Sequence, residues 1–113
     1  MNLLLVTFAL RNADRNYDPF FVELRGNSLN WMHYIEQSCL VTSPLDQDSM
    51  TKQLVQHIET TDSLIVVKLE PHQFNGWLPK SAWDWMESVS NEIQREKQAM
   101  LPTHDLPPPP RLK

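Results

Sequence analysis

The chain has 113 residues, 41% hydrophobic and 21% charged, with a formal net charge of −4. This is enough chain for one domain with a single core and too little for two. Its acidic balance disfavours nucleic acid as a partner. Phosphate binding needs a cationic surface or stripe, and the closest basic cluster here is Arg11 with Arg15.

Residues 3–10, LLLVTFAL, form a continuous apolar run, which suits a central strand covered on both faces or nearly so. The run lacks the basic flank and small-residue cleavage site of a signal peptide, and it is far shorter than the roughly 20 residues that span a bilayer. It reads as a buried strand, and no membrane partner is expected. RNADRN follows, a polar turn in which Asn12, Asp14 and Asn16 are candidate caps. Tyr17, Phe20, Phe21 and Leu24 then recur at helical spacing, with Pro19 in the first turn and Gly26 as a stop, and this predicts a helix over 16–25.

The next stretch, WMHYIEQSCLVTS (31–43), places Trp31, His33, Tyr34, Glu36, Ser38 and Cys39 close together. On one extended strand Trp31, His33, Ile35, Gln37, Cys39 and Val41 share a face, and Met32, Tyr34, Glu36, Ser38, Leu40 and Thr42 share the other. The apolar character shifts near Glu36-Gln37-Ser38, so the segment reads as two short strands at 31–37 and 38–43 joined by a bulge, bend or tight hairpin. His33 and Cys39 would lie about 20 Å apart on a single strand, with Glu36 on the opposite face. Only a hairpin would bring them together, so no metal site is expected. Cys39 is the only cysteine, which leaves no internal disulfide and fits a reducing, cytoplasmic setting.

Asp46 can cap a helix on which Met50, Leu54 and Ile58 share a face, and Asp62-Ser63 turns into a strand in which Ile65, Val67 and Leu69 alternate with Val66, Lys68 and Glu70. Pro79-Lys80-Ser81 opens a third helix with a buried stripe of Ala82, Trp85, Met86, Val89 and Ile93. Trp83 falls off that stripe and, with Trp77, is a candidate for an interface. The tail, LPTHDLPPPPRLK, favours extended polyproline II and has the composition of a linker or a peptide that binds another protein.

RNYDPFFVEL, WMHYIEQSCLVTS, TDSLIVVKLE and the later Gly76-Trp77 together resemble the SinR-like family, small ferredoxin-like relatives of the second CRISPR adaptation subunit. The matching positions are Arg15, Asn16, Tyr17, Trp31, His33, Glu36, Ser38, Val41, Thr42, Asp62, Leu64 and Val66, and the resemblance covers about residues 3–78. It implies an α+β, ferredoxin-like β-α-β-β-α-β sandwich, commonly a symmetric dimer joined through sheet edges. The core would occupy 1–78, with an added C-terminal helix at 79–100 and the Pro-rich tail at 101–113.

In the related nucleases an aspartate at the end of the first strand binds a metal ion. Ala9 stands at that place here, and a methyl group cannot coordinate Mg²⁺. The expectation is therefore a non-catalytic homodimeric scaffold or interaction module without a cofactor, in which Trp31, His33, Tyr34 and Glu36 belong to the fold signature or an interface. The alternative is a Mg²⁺-dependent endonuclease acting on RNA or DNA, with a relocated carboxylate at Asp14 and Arg15 steering phosphate.

Overall fold

The computed structural model describes residues 1–100, and the tail expected at 101–113 lies outside the described residues. In chain order the elements are β1 (Asn2–Ala9), α1 (Asp18–Gly26), β2 (Asn30–Ile35), β3 (Ser38–Ser43), α2 (Gln47–Leu54) with a single 3-10 turn (Val55–His57), β4 (Ser63–Leu69) and α3 (Lys80–Met100). The fold is α+β. Its four strands form one antiparallel sheet in the order β2-β3-β1-β4.

β1 is central, as its unbroken apolar run requires. Alternate side chains of a strand point to opposite faces, so Leu4, Val6 and Phe8 enter one core with Phe20 and Leu24 of α1, Cys39 and Val41 of β3, and Met50 and Leu54 of α2. Phe8, Phe20 and Phe21 meet edge to face, with ring centroids 5.2–5.6 Å apart, the arrangement that aromatic quadrupoles favour. Leu3 points the other way, into a second core with Val89 and Ile93 of α3, and Met32 is buried beside Ala82 and Met86. α3 therefore covers part of the second sheet face, and the molecule has three layers there.

Local chemistry sets the ends of the elements. Asp46 caps α2 by accepting the Ser49 N–H at 2.8 Å. That bond comes first among the causes that hold the Asp46 carboxyl below its ordinary value. α1 begins two residues later than the periodicity predicts. The Asn16 side chain accepts the Asp18 N–H at 3.0 Å in a turn that precedes the helix.

The hairpin between β2 and β3 turns on Glu36-Gln37. Met32 pairs with Leu40 and Ile35 with Ser38, so His33 and Tyr34 together face Cys39. This is a β-bulge, and it corrects the strict alternation expected for the strand. Ile35 leaves the face of Trp31 and His33 and joins Met32 and Leu40 on the other.

One turn carries strain. The Gln73 N–H donates to the Glu70 carbonyl at 3.1 Å, with Pro71 second in the turn and His72 third at φ 61°. A type II turn demands a left-handed residue at that place and favours glycine there. Left-handed backbone costs an L-residue about 1–2 kcal/mol, partly offset in a glycine variant by about 0.5–1 kcal/mol of extra unfolded-state entropy. His72→Gly is expected to raise the urea midpoint by the equivalent of up to about 1 kcal/mol. A lowered midpoint would show that the histidine side chain contributes more than the turn costs.

Candidate interaction surface

At the carboxyl end of β1 the loops before α1 and β4 lock together through polar side chains. Asp62 accepts from the Arg11 N–H (2.8 Å), the Glu59 N–H (2.8 Å) and the Tyr17 hydroxyl (2.8 Å). Arg15 pairs with Glu59 at 3.3 Å and lies over the Tyr17 ring, while the Asn12 amide also donates to Glu59. Partial burial pushes the Asp62 carboxyl up, but the donors from Arg11, Glu59 and Tyr17, with the Arg15 charge, outweigh it and hold the group below its ordinary value. Burial, and then Asp62, push the Tyr17 hydroxyl the other way, against the Asn12 N–H.

Asp62 is thus more than the turn residue its position suggests. It ties together segments about 50 residues apart, and Arg15 is engaged in the same lock. Asp14 is exposed, and its backbone N–H donates to the Asn12 side chain. Ala9 stands opposite Ser63, beside a shallow hollow lined by Thr7, Phe8, Gln37, Ser63, Leu64 and Ile65. Among the described residues no group of three His, Cys, Asp or Glu side chains is placed to hold a metal ion.

The hairpin divides the crowded WMHYIEQSCLVTS segment between two faces. Trp31 and His33 line a hollow on the α1 side with Phe21, Leu24, Arg25, Cys39 and Val41. Folding back brings His33 and Cys39 into one hollow, where a single strand would hold them about 20 Å apart. Their chemistry is nonetheless quiet. The His33 Nε2–H donates to the Glu36 carbonyl at 2.8 Å, and burial pushes the Cys39 thiol up against the opposing Arg25 charge. The Arg25 guanidinium lies 5.9 Å from the centroid of the Trp31 ring. Glu36 is exposed at the turn.

Tyr34 goes to the second face and shares a 2.7 Å hydrogen bond with Ser81 Oγ, which ties the hairpin to the first turn of α3. There α3 leaves part of the sheet open. Two hollows adjoin on this face and share Leu5, Ile35, Leu40 and Leu78. One reaches Tyr34 and Met32, and the other Phe74, Trp77, Trp83 and Met86. Trp77 is 98% exposed, and Trp83 is half-buried beside Met32, Ala82 and Met86. Across β1, Ile65 and Val67 of β4 stand 59% and 40% exposed on the same open face.

Tyr34, Trp77 and Trp83, read from the sequence as interface candidates, therefore meet along one groove, while Trp31 and His33 lie on the opposite side of the sheet. Leu5, Ile35, Phe74 and Leu78 complete the groove and carry no sequence signal of their own. Ile35 reaches it only through the bulge. No helix of the described residues is long and apolar enough to cross a membrane. Comparison with known proteins yields no matching family model, no matching curated protein and no matching solved structure.

Proposed function

We propose that this chain is a non-catalytic, homodimeric interaction module with a ferredoxin-like core, paired with a second copy through the edge of β4. The strand order, read from its other edge as β4-β1-β3-β2, supports the ferredoxin-like reading, as do α1 and α2 on one face. So does the resemblance to the SinR-like proteins, in which such dimers are common.

The observation that carries the dimer is the contrast between the two sheet edges. An edge strand offers unpaired N–H and C=O groups, and proteins blunt it with bulges or charges. β2 is bulged, whereas all seven residues of β4 keep unbroken register with β1. Within β4 only Lys68 is charged, and Ile65 and Val67 present apolar side chains to solvent beside the free edge. A two-fold axis perpendicular to the sheet beside β4 would pair the strands antiparallel and bring the two apolar rows together on one face.

Light scattering at micromolar concentration is expected to give twice the monomer mass. The double variant Ile65→Lys, Val67→Lys is expected to run as a folded monomer, because both side chains are exposed in the single chain and lysine opposes edge pairing. A wild-type monomer at that concentration would sink the proposal.

A further inference from the structure

Edge pairing through β4 is too small by itself to hold two copies together. Seven strand residues at about 3.3 Å each, in a sheet about 10 Å thick, make a strip of about 230 Å². Stable interfaces bury about 800 Å² on each partner. The surface that makes up the difference has to adjoin β4, and the second-face groove does. Leu5 in this groove stands opposite Val67, and Leu69, which also lines it, belongs to β4 itself. At its mouth Trp77 is 98% exposed, while Phe74 and Leu78 of the same loop pack against the core. Trp77, Ile35, Val67 and Ile65 thus join through Leu5 into one open apolar patch. A continuous patch of this kind marks an interaction site.

We infer that Trp77 of each copy crosses the β4 seam and packs on Ile65 and Val67 of the other, an inference that rests on the pairing of β4. Opposed residues of an antiparallel pair share a face. Setting Ile65 opposite the partner's Val67, with Val66 on the two-fold axis, brings all four exposed side chains into one cluster. That register puts Leu5, Val67 and the partner's Ile65 in a single row across the seam. Neighbouring strands lie about 4.8 Å apart, so the partner's Ile65 stands about 10 Å from Leu5. The groove therefore ends within a long side chain's reach of the partner's strand. Symmetry repeats the contact, and each copy gives one tryptophan and receives one. A tryptophan buries about 150–250 Å², which closes most of the shortfall once the surface it covers is included.

The test measures the dimer dissociation constant of the full chain by sedimentation equilibrium. Acrylamide quenching of Trp77, read as the difference between wild type and Trp77→Phe well above that constant, reports whether the ring is covered. Trp77→Ala is expected to raise the constant about 30-fold, the loss typical of truncating a central interface tryptophan. Its circular dichroism should match the wild type, because the side chain is exposed in the single chain. Trp31→Ala, on the opposite face, is the control and is expected to leave the constant unchanged. Trp77 is expected to be shielded in the wild-type dimer and open to acrylamide in the Ile65→Lys, Val67→Lys monomer. A wild-type dimer that Trp77→Ala leaves equally tight would overturn the inference and leave β4 pairing standing. A Trp77 still shielded in the lysine monomer would overturn it too, since another segment of the chain or another molecule would then cover the ring. A wild-type monomer would overturn both readings together.

Discussion

Phe20→Ala is expected to lower the free energy of unfolding by about 3–5 kcal/mol, the range for truncating a buried aromatic side chain. Phe20 is fully buried between β1 and α1 and meets both Phe8 and Phe21 edge to face. Removing its ring loses apolar burial, leaves a cavity and breaks two of the three aromatic contacts in the cluster. Small domains are stable by only about 5–15 kcal/mol, so this single change removes a large part of the total. Urea denaturation followed by circular dichroism would measure it. Val22→Ala on the same helix is the control, since Val22 is 60% exposed, and its expected effect is within about 0.5 kcal/mol. A Phe20→Ala loss as small as the control's would mean that α1 does not pack on the sheet through this ring.

The acid limb of the stability profile is expected to change with Asp62→Asn. The wild-type carboxylate accepts two backbone N–H groups and the Tyr17 hydroxyl, and these hold its folded-state value below the ordinary 3.8 despite partial burial. A lowered carboxyl contributes stability that is whole above its unfolded-state value and is lost as pH falls through the folded-state value. The wild type should therefore exceed the variant in stability at neutral pH. The gap should narrow as the solution is acidified below about pH 4. Asp46 and Glu70 are lowered as well, Glu70 chiefly by its hydrogen bond from Lys97. Both titrate in wild type and variant alike, so the difference between the two profiles isolates Asp62. A gap that stays constant from neutral to acid pH would show that the carboxylate charge is not what the lock depends on.

The two predictions probe different parts of the chain's design. Helical spacing alone places Phe20 on a buried face, with Tyr17, Phe21 and Leu24. Asp62 reads as an ordinary turn residue in the sequence, because its partners Arg11 and Tyr17 lie 51 and 45 residues away. Spacing along the chain carries no information about such a pair. Arg15 makes the same point: the nuclease alternative has it steering phosphate, and the fold pairs it with Glu59, 44 residues distant.

The sequence by itself determined what depends on neighbours along the chain. The apolar run at 3–10 marks a central strand, although its second face is only partly covered; Asp46 caps α2; and Ala82, Met86, Val89 and Ile93 repeat at the helical period and are all buried in α3. Tertiary structure decided what depends on pairing. The bulge in β2 turns Ile35 to the second face, the hairpin brings His33 and Cys39 into one hollow, and α3 lies across the sheet so that Tyr34, Trp77 and Trp83 share a groove. The division has a physical cause. Periodicity and capping are satisfied within a few residues, whereas register and layer packing follow from which surfaces can be buried together, and that is settled only between segments far apart in the chain.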